Sequence, residues 1–335
     1  MTSPKISVIM PVRNGCKYLE NALAGIESLV FDSWELIVVD DGSTDGTADV
    51  LRQWSGSSSV PHRIIKNASS CGVAAARNAA VAEASGEFVW FVDGDDSWSS
   101  DILLHLWSGV SDPEVDVVVC DAQRVVAKTG HVSLIHDAPM RETITGEDAL
   151  RRVLRGELQG HLWNKLIRRA RLEAYPFPQM RAHSDLAGTI RLVVASRLVV
   201  TVPGEKYFYD VHDGSILQSA DYKWENLIRC AEAAEEAVER SAVGAQLAGE
   251  LRLFTWSHVM IPAANSVLSS ARPDISKIPY RSSITPWALA ASWRRDQPAL
   301  LLKAAALKWV PRLYGTIYRR HHAKKWGSLR PGGTN

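Results

Sequence analysis

Three short apolar runs that end at proline or at carboxylates set the tightest limit on how this chain can fold. Ile6-Ser7-Val8-Ile9-Met10 stops at Pro11, Leu36-Ile37-Val38-Val39 stops at Asp40-Asp41, and Phe88-Val89-Trp90-Phe91-Val92 stops at Asp93-Gly94-Asp95-Asp96. Apolar runs without alternation fit strands covered on both faces, as in a parallel sheet. Helical patterns lie between them. Leu19, Leu23, Ile26 and Leu29 or Val30 share one side, Thr47 to Trp54 follows a Ser/Thr/Asp cluster, and Ala74 to Ala82 is alanine-rich. Arg63-Ile64-Ile65 and Val115 to Val119 read as further strands. Alternating strand and helix predicts an α/β fold with a mostly parallel central sheet flanked by helices.

In such a sheet the strands' carboxyl ends open on one edge, where ligands bind. Two acid clusters, Asp40/Asp41 and Asp93/Asp95/Asp96, are expected there. Asp93 and Asp95 are separated by Gly94, read as allowing a tight turn. Their charges repel unless a cation lies between them, and Mg²⁺ or Mn²⁺ takes oxygen ligands from one or two carboxylates plus phosphates. A plainer reading is an acidic turn in which Asp96 and Ser97 cap the next helix.

Composition excludes several classes. A net charge of +1 gives no global field for nucleic acid or membrane. No stretch reaches the roughly 18 apolar residues of a membrane span. Cys16, Cys71, Cys120 and Cys230 lie far apart without metal spacing and read as reduced thiols of a cytosolic protein. Met1 to Lys5 leads straight into a strand, without a signal-peptide core.

Four motifs in order then resemble the nucleotide-sugar half of the family-2 inverting glycosyltransferases of the GT-A fold. They are residues 7–14 (Ser-Val-Ile-Met-Pro-Val-Arg-Asn), 38–47 (Val-Val-Asp-Asp-Gly-Ser-Thr-Asp-Gly-Thr), 71–80 (Cys-Gly-Val-Ala-Ala-Ala-Arg-Asn-Ala-Ala) and 85–96, which ends in the Asp-Gly-Asp-Asp cluster. The resemblance implies that Pro11, Val12 and Asn14 line the nucleotide and that Asp40 or Asp41 accepts from the base, most often uracil. It implies that Arg77 sits near the nucleotide and that Asp93 and Asp95, flanking Gly94, bind the metal. Asp96 is a possible ligand in place of either. Arg13 departs from the family, which often has an aromatic residue there, and could bring a cation to the diphosphate.

Further on, Trp163-Asn164-Lys165-Leu166 resembles a segment of bacterial members. There Trp163 could stack on a sugar, or be buried, and Lys165 could approach phosphate. Asp185 aligns with the usual catalytic base, although Ser184 replaces the Glu often found before it; His183 is the reserve base. Tyr207 to Ile216 resembles a Tyr-rich strand and loop in which His212 or Ser215 could touch the diphosphate.

The expected organisation is a GT-A domain over 1–220 and a helical region over 221–335. The domain's nucleotide-sugar half covers about 1–121 and its acceptor half about 122–220. Residues 131–144 show no period and read as loops or a hairpin. Thr145 and Asp148 approximate a capping box. Tyr222 to Ala248 reads as one long helix and Leu251 to Leu268 as another. From Gln297 onward there are eight Lys/Arg and no Asp or Glu, interleaved with Leu, Trp and Tyr. This basic amphipathic tail could lie on an anionic membrane or pack on the enzyme.

The expectation is therefore inverting transfer from a UDP-sugar to a carbohydrate or lipid-linked acceptor in cell-surface polysaccharide or glycoconjugate synthesis. The protein would be cytoplasmic or peripheral on the inner face of the plasma membrane. The alternatives are a non-catalytic nucleotide-sugar binder and a nucleotidyltransferase. For the latter, Pro11 to Gly15 is a poor phosphate loop.

Overall fold

The computed structural model describes residues 3–126, 130–211, 225–269, 273–293 and 298–326. The chain divides into two compact units, Met1–Tyr222 with Glu239–Ala242, and Lys223–Val238 with Val243–Asn335.

The first unit opens as strand–helix repeats: β1 (Ile6–Val12), α1 (Leu19–Glu27), β2 (Trp34–Asp40), α2 (Thr47–Ser55), β3 (His62–Lys66), α3 (Val73–Glu83) and β4 (Phe88–Phe91). A two-residue strand β5 (Ser97–Trp98) and α4 (Ile102–Trp107) follow. Then come β6 (Val115–Val126), β7 (His131–Ile135), β8 (Glu142–Thr145), α5 (Gly146–Arg155), β9 (Lys165–Arg168), α6 (Arg169–Ala174), α7 (Ser184–Ala195) and β10 (Leu198–Val211). The sheet order is β3-β2-β1-β4-β9-β6-β10-β5. Strands β3, β2, β1 and β4 are parallel neighbours. β9 runs against both β4 and β6, and β10 is parallel to β6, so the main direction resumes beyond β9. The mostly parallel sheet expected from the apolar runs is present. The antiparallel β9 was not foreseen, because Leu166-Ile167 is too short a run to read as a strand.

The core explains the choice of residues. Ile6, Val8, Met10, Leu36, Val38, Phe88, Trp90 and Val92 are buried in one cluster with Leu19, Leu23 and Ile26 of α1. Pro11 sits in a central strand at no cost because β4 pairs with β1 only as far as Ile9↔Phe91. At the other end of β1, buried Ser7 accepts from the Gly86 amide (2.9 Å) and donates to Glu35 (2.7 Å). A Cβ on Gly86 would lie 2.5 Å from the Ser7 nitrogen. This part of the family-like motif is therefore structural.

The region 131–144 is a hairpin strand β7 on β6 and a strand β8 on β10. Thr145 caps α5, accepting from the Asp148 amide at 3.1 Å. Asp96 and Ser97 do not cap a helix; Asp96 precedes β5, Ser97 begins it, and α4 starts only at Ile102.

The second unit is helical, with α8 (Glu225–Arg240), α9 (Gly244–Phe254), a π-helical turn (Thr255–Met260), α10 (Ile261–Ser269), α11 (Pro286–Trp293), α12 (Pro298–Trp309) and α13 (Pro311–Trp326). The single helix expected over 222–248 is instead two, broken at 241–243. Gly244 marks the break: a Cβ there would meet the Val238 carbonyl oxygen at 2.1 Å. Trp256, Met260, Ala264, Leu301, Ala304 and Leu307 form this unit's core. Among the described residues no helix is long and apolar enough to cross a membrane. The four cysteines are free.

Candidate active site

Parallel register brings the acids to one edge. Asp40 ends β2 opposite Val12 of β1, and Asp93 follows β4 on the other side of β1. Asp40 is buried, and its Oδ1 accepts from the Ser43 amide at 2.9 Å. Its Oδ2 is also buried and has no hydrogen-bond partner. Leaving a buried acceptor unpaired costs about 1–3 kcal/mol.

Asp41 is the opposite case. It accepts from the Cys71 and Gly72 amides (both 2.9 Å), Ser70 Oγ (2.7 Å), Asn67 Nδ2 (2.9 Å) and Cys71 Sγ (3.0 Å). Burial opposes its ionisation, but these bonds from Cys71, Ser70 and Asn67 hold its carboxyl well below the usual carboxylate range. Its acceptor capacity goes to shaping the 67–72 loop rather than facing a ligand. Gly42 makes that closure possible: its φ is +69°, and a Cβ would lie 2.7 Å from backbone atoms of Ser69 and Ser70.

Pro11 is half-buried and Val12 buried, with the Val12 carbonyl accepting from the Asp41 amide at 2.9 Å. Asn14 is exposed at φ 49°, and its Oδ1 accepts from the Thr44 amide at 2.8 Å. Gly15 donates to Thr47 Oγ1 at 2.9 Å, so the loops after β1 and β2 are laced together. Arg13 is exposed.

Arg77 is buried on α3, with Nη2 3.5 Å from Asp93 Oδ1 and Nε unpartnered. Asp93, Gly94 and Asp95 are half-buried. Burial raises the pKa of Asp93; Arg77 opposes this, and the like charges of Asp95 and Asp185 add to it. Asp185, on the first turn of α7, is thus brought from far along the chain into the field of the Asp93 carboxylate. Gly94 does not take a left-handed φ, and a Cβ there would make only ordinary contacts, the nearest 3.7 Å from Val12. The tight-turn argument for glycine therefore fails at that position.

Asp96, expected as an alternative metal ligand, is 4% exposed. Its Oδ2 accepts from Tyr207 Oη at 2.7 Å and its Oδ1 from the Asp210 amide at 2.9 Å. Burial, with the charges of Asp93 and Asp95, pushes its pKa up to about 9. Both oxygens hold β10 in place, so Asp96 braces the site from behind.

One further expectation is corrected. Lys165 does not reach a phosphate. It is 1% exposed, and its Nζ donates to Gln159 O (2.8 Å), His161 O (2.7 Å) and Asn164 Oδ1 (2.9 Å), with Asp137 Oδ2 at 3.6 Å. Burial lowers its pKa, and Asp137 opposes that fall. Of the two readings open for Trp163, the structure has the buried one, in a ring stack: Tyr207 lies on it at 4.6 Å and 7°, and His161 at 4.6 Å and 14°. His161 is the half-buried outer ring of that stack. Its pKa is lowered by burial, against the opposing charge of Asp185. The sequence reading passed over it; its only signal was its place at the head of the Trp-Asn-Lys segment. His183 precedes α7 at φ 63°, its pKa lowered by burial and raised in part by Asp185. His212 and Ser215 lie outside the described residues.

Among the described residues no set of three or more His, Cys, Asp or Glu could hold a metal ion alone. Asp93 and Asp95 nevertheless fit a hard divalent ion whose remaining ligands come from substrate phosphate and water. Asp95 and Asp185 set like charge beside Asp93, a repulsion that such an ion would relieve.

A family model, Glycosyl transferase family 2, matches residues 7–175, half of the chain. The chain belongs to that family. It is similar to EpsH of Bacillus subtilis (strain 168), 28% identical over 224 residues, covering 65% of this chain and 64% of EpsH. It is also similar to TuaG of the same strain, whose name refers to teichuronic acid biosynthesis, 30% identical over 199 residues, covering 57% of this chain and 72% of TuaG. Among solved structures, S. aureus TarS 1–349 in complex with UDP-GlcNAc aligns with a TM-score of 0.75 at 20% identity, over 95% of this chain and 92% of that one. The mannosyltransferase PcManGT from Pyrobaculum calidifontis, with GDP-Man and Mn²⁺, aligns at 0.54 and 19% identity, over 97% and 88%. These likenesses show that the chain has the GT-A fold.

Proposed function

We propose that this family-2 glycosyltransferase moves a sugar from a UDP-sugar to an acceptor hydroxyl in one inverting step, in the synthesis of a cell-surface polysaccharide or glycoconjugate. The observation that carries the proposal is the gathering of Asp40, Asp93, Asp95 and Asp185 at one sheet edge, with one buried Asp40 oxygen lacking a donor. An imino N–H of uracil would supply that donor. TarS, crystallised with UDP-GlcNAc, supports the uridine choice, and TuaG supports the polysaccharide context.

Each side chain then has a task. Pro11, Val12 and Asn14 shape the nucleotide end of the edge, and Asp41 holds the loop that closes over it. Arg77 faces the diphosphate side, orienting Asp93. Asp93 and Asp95 would hold Mn²⁺ or Mg²⁺, which neutralises charge on the departing diphosphate. Asp185 accepts the proton of the acceptor hydroxyl as its oxygen bonds to the anomeric carbon and the bond from that carbon to the diphosphate oxygen breaks. The absence of a covalent intermediate in this reading gives inversion.

The acceptor is lipid-linked in this reading, and the enzyme works on the cytoplasmic face of the plasma membrane. Support comes from α12 and α13. Backbone bonds from Val310 N to Ala306 O and from Tyr314 N to Val310 O carry the helix across Pro311. Leu302, Trp309, Leu313 and Ile317, spaced by seven, four and four, are all exposed. Lys303, Arg312 and Arg320 are exposed beside them, with no acid in 297–335 to offset their charge. Such a face fits anionic headgroups over acyl chains.

The test is a panel of nucleotide sugars incubated with the purified protein and Mn²⁺, followed by phosphorus NMR. Slow release of UDP from one UDP-sugar is expected. Pyrophosphate release would make the protein a nucleotidyltransferase, and binding without any turnover would make it a binder.

A further inference from the structure

The neighbouring side chains Arg77 and Asn78 of α3 take different partners. Arg77 meets Asp93. Asn78 meets Phe177, a residue nearly a hundred positions later: its Nδ2 donates to the Phe177 carbonyl at 2.9 Å, and its Oδ1 accepts from the Phe177 amide at 2.9 Å. One amide side chain thus satisfies both backbone groups of a buried loop residue, fixing its place and its orientation.

The ring of Phe177 is 2% exposed and stands between two elements that matter. On one side it meets Phe91 edge-on, with centroids 5.5 Å apart and planes at 81°. Phe91 is two residues before Asp93. On the other side it fills the space beside Gly188 of α7, where a Cβ would lie 2.5 Å from Cδ1 and 2.7 Å from Cε1 of the ring. Gly188 is one helical turn after Asp185. Phe177 is therefore a spacer between the strand that leads to Asp93 and Asp95 and the helix that carries Asp185 in its first turn.

We propose that Asn78, acting through Phe177 and Gly188, is a positioning residue that sets the separation of Asp185 from Asp93 and Asp95. This inference rests on the reading of Asp185 as the base. The base must meet an acceptor oxygen that attacks a carbon tethered to the diphosphate. A displacement of about 1 Å can cost on the order of 10²-fold in rate. Neither Asn78 nor Phe177 needs to touch substrate for this to hold, and Gly188 is required because any side chain there would push α7 off the ring.

The experiment measures UDP affinity by calorimetry with Mn²⁺, and UDP release from the best nucleotide sugar, for Asn78→Ala, Phe177→Leu, Gly188→Ala, Asp185→Asn and the Asn78→Ala/Asp185→Asn pair. Asn78→Ala and Gly188→Ala approach the spacer from opposite sides. Both should keep the affinity for UDP within about twofold and lose kcat on the order of 10²-fold. In the Asp185→Asn background, Asn78→Ala should cause no further loss, because the two act through one group. If Asn78→Ala proves too unstable to assay, Phe177→Leu, which keeps both backbone bonds and shrinks only the spacer, must show the same split. Parallel loss of UDP affinity and kcat, or a full further loss in the double variant, would overturn the positioning role. Unchanged turnover in Asp185→Asn would instead remove the base reading.

Discussion

Replacing Lys165 by Met distinguishes a buried structural cation from a phosphate ligand. The structure encloses the ammonium among three oxygen acceptors at 2.7–2.9 Å with Asp137 beside it, both side chains 1% exposed. Methionine keeps the length of the chain and removes the charge. Asp137 would retain the Asn164 Nδ2 and Gln159 amide donors, at 2.9 and 3.0 Å, but lose its counter-ion. Breaking a buried pair in this way costs roughly 3–5 kcal/mol. At about 2–4 °C per kcal/mol for a domain of this size, Tm should fall by roughly 6–20 °C. Adding Asp137→Asn removes the stranded charge and should recover part of the loss. The assay is thermal melting with urea titration, alongside UDP calorimetry on the same samples. A variant that melts with the wild type yet binds UDP at least about tenfold more weakly, a loss of about 1.4 kcal/mol, would refute the enclosure argument and restore Lys165 to the nucleotide.

Other perturbations follow from the same geometry. Gly42→Ala forces a Cβ onto a left-handed backbone and against Ser69 and Ser70. It should cost at least about 2 kcal/mol in urea unfolding and weaken UDP binding; wild-type values for both would show that the loop contact is dispensable. Asp41 has a folded-state pKa held below its unfolded value of about 3.9. Its contribution is therefore complete above that pH and fades as pH falls through the folded value. The stability gap between wild type and Asp41→Asn should be constant above about pH 5 and shrink as pH falls below it, and a gap unchanged down to about pH 2 would contradict this. Leu313→Ser/Ile317→Ser should lose most co-sedimentation with equal-part phosphatidylglycerol and phosphatidylcholine vesicles, and Lys303→Gln/Arg312→Gln/Arg320→Gln should lose the preference for phosphatidylglycerol. Vesicle binding unchanged in both, or no binding by the wild type, would remove the membrane reading.

What the sequence could and could not show follows from the range of each signal. The apolar runs at Ile6, Leu36 and Phe88 and the alanine-rich α3 are local patterns, and they led directly to the parallel sheet and its acid-tipped edge. The same is true of the capping pair Thr145 and Asp148. Asp40 and Asp41 look equivalent as neighbours, yet one keeps a buried oxygen without a partner while the other is saturated by a loop 26 or more residues later. Lys165 looked available because its partner Asp137 lies in a stretch without periodicity. Trp163 could be read either as buried or as open to a sugar because its stacking partner Tyr207 comes from β10. The Asn78–Phe177 pair was invisible for the same reason: nothing local to either residue announces a partner a hundred positions away. Burial and long-range pairing decide these cases, and neither is written in spacing.

Asp185 gives the most direct test of the central claim that a carboxylate from α7 completes a sugar-transfer site at the edge shared by Asp40 and Asp93. In Asp185→Asn, UDP affinity with Mn²⁺ should match the wild type while release of UDP from the nucleotide sugar falls to a residual rate on the order of 10²–10⁴-fold lower. Turnover equal to the wild type in that variant would contradict the account.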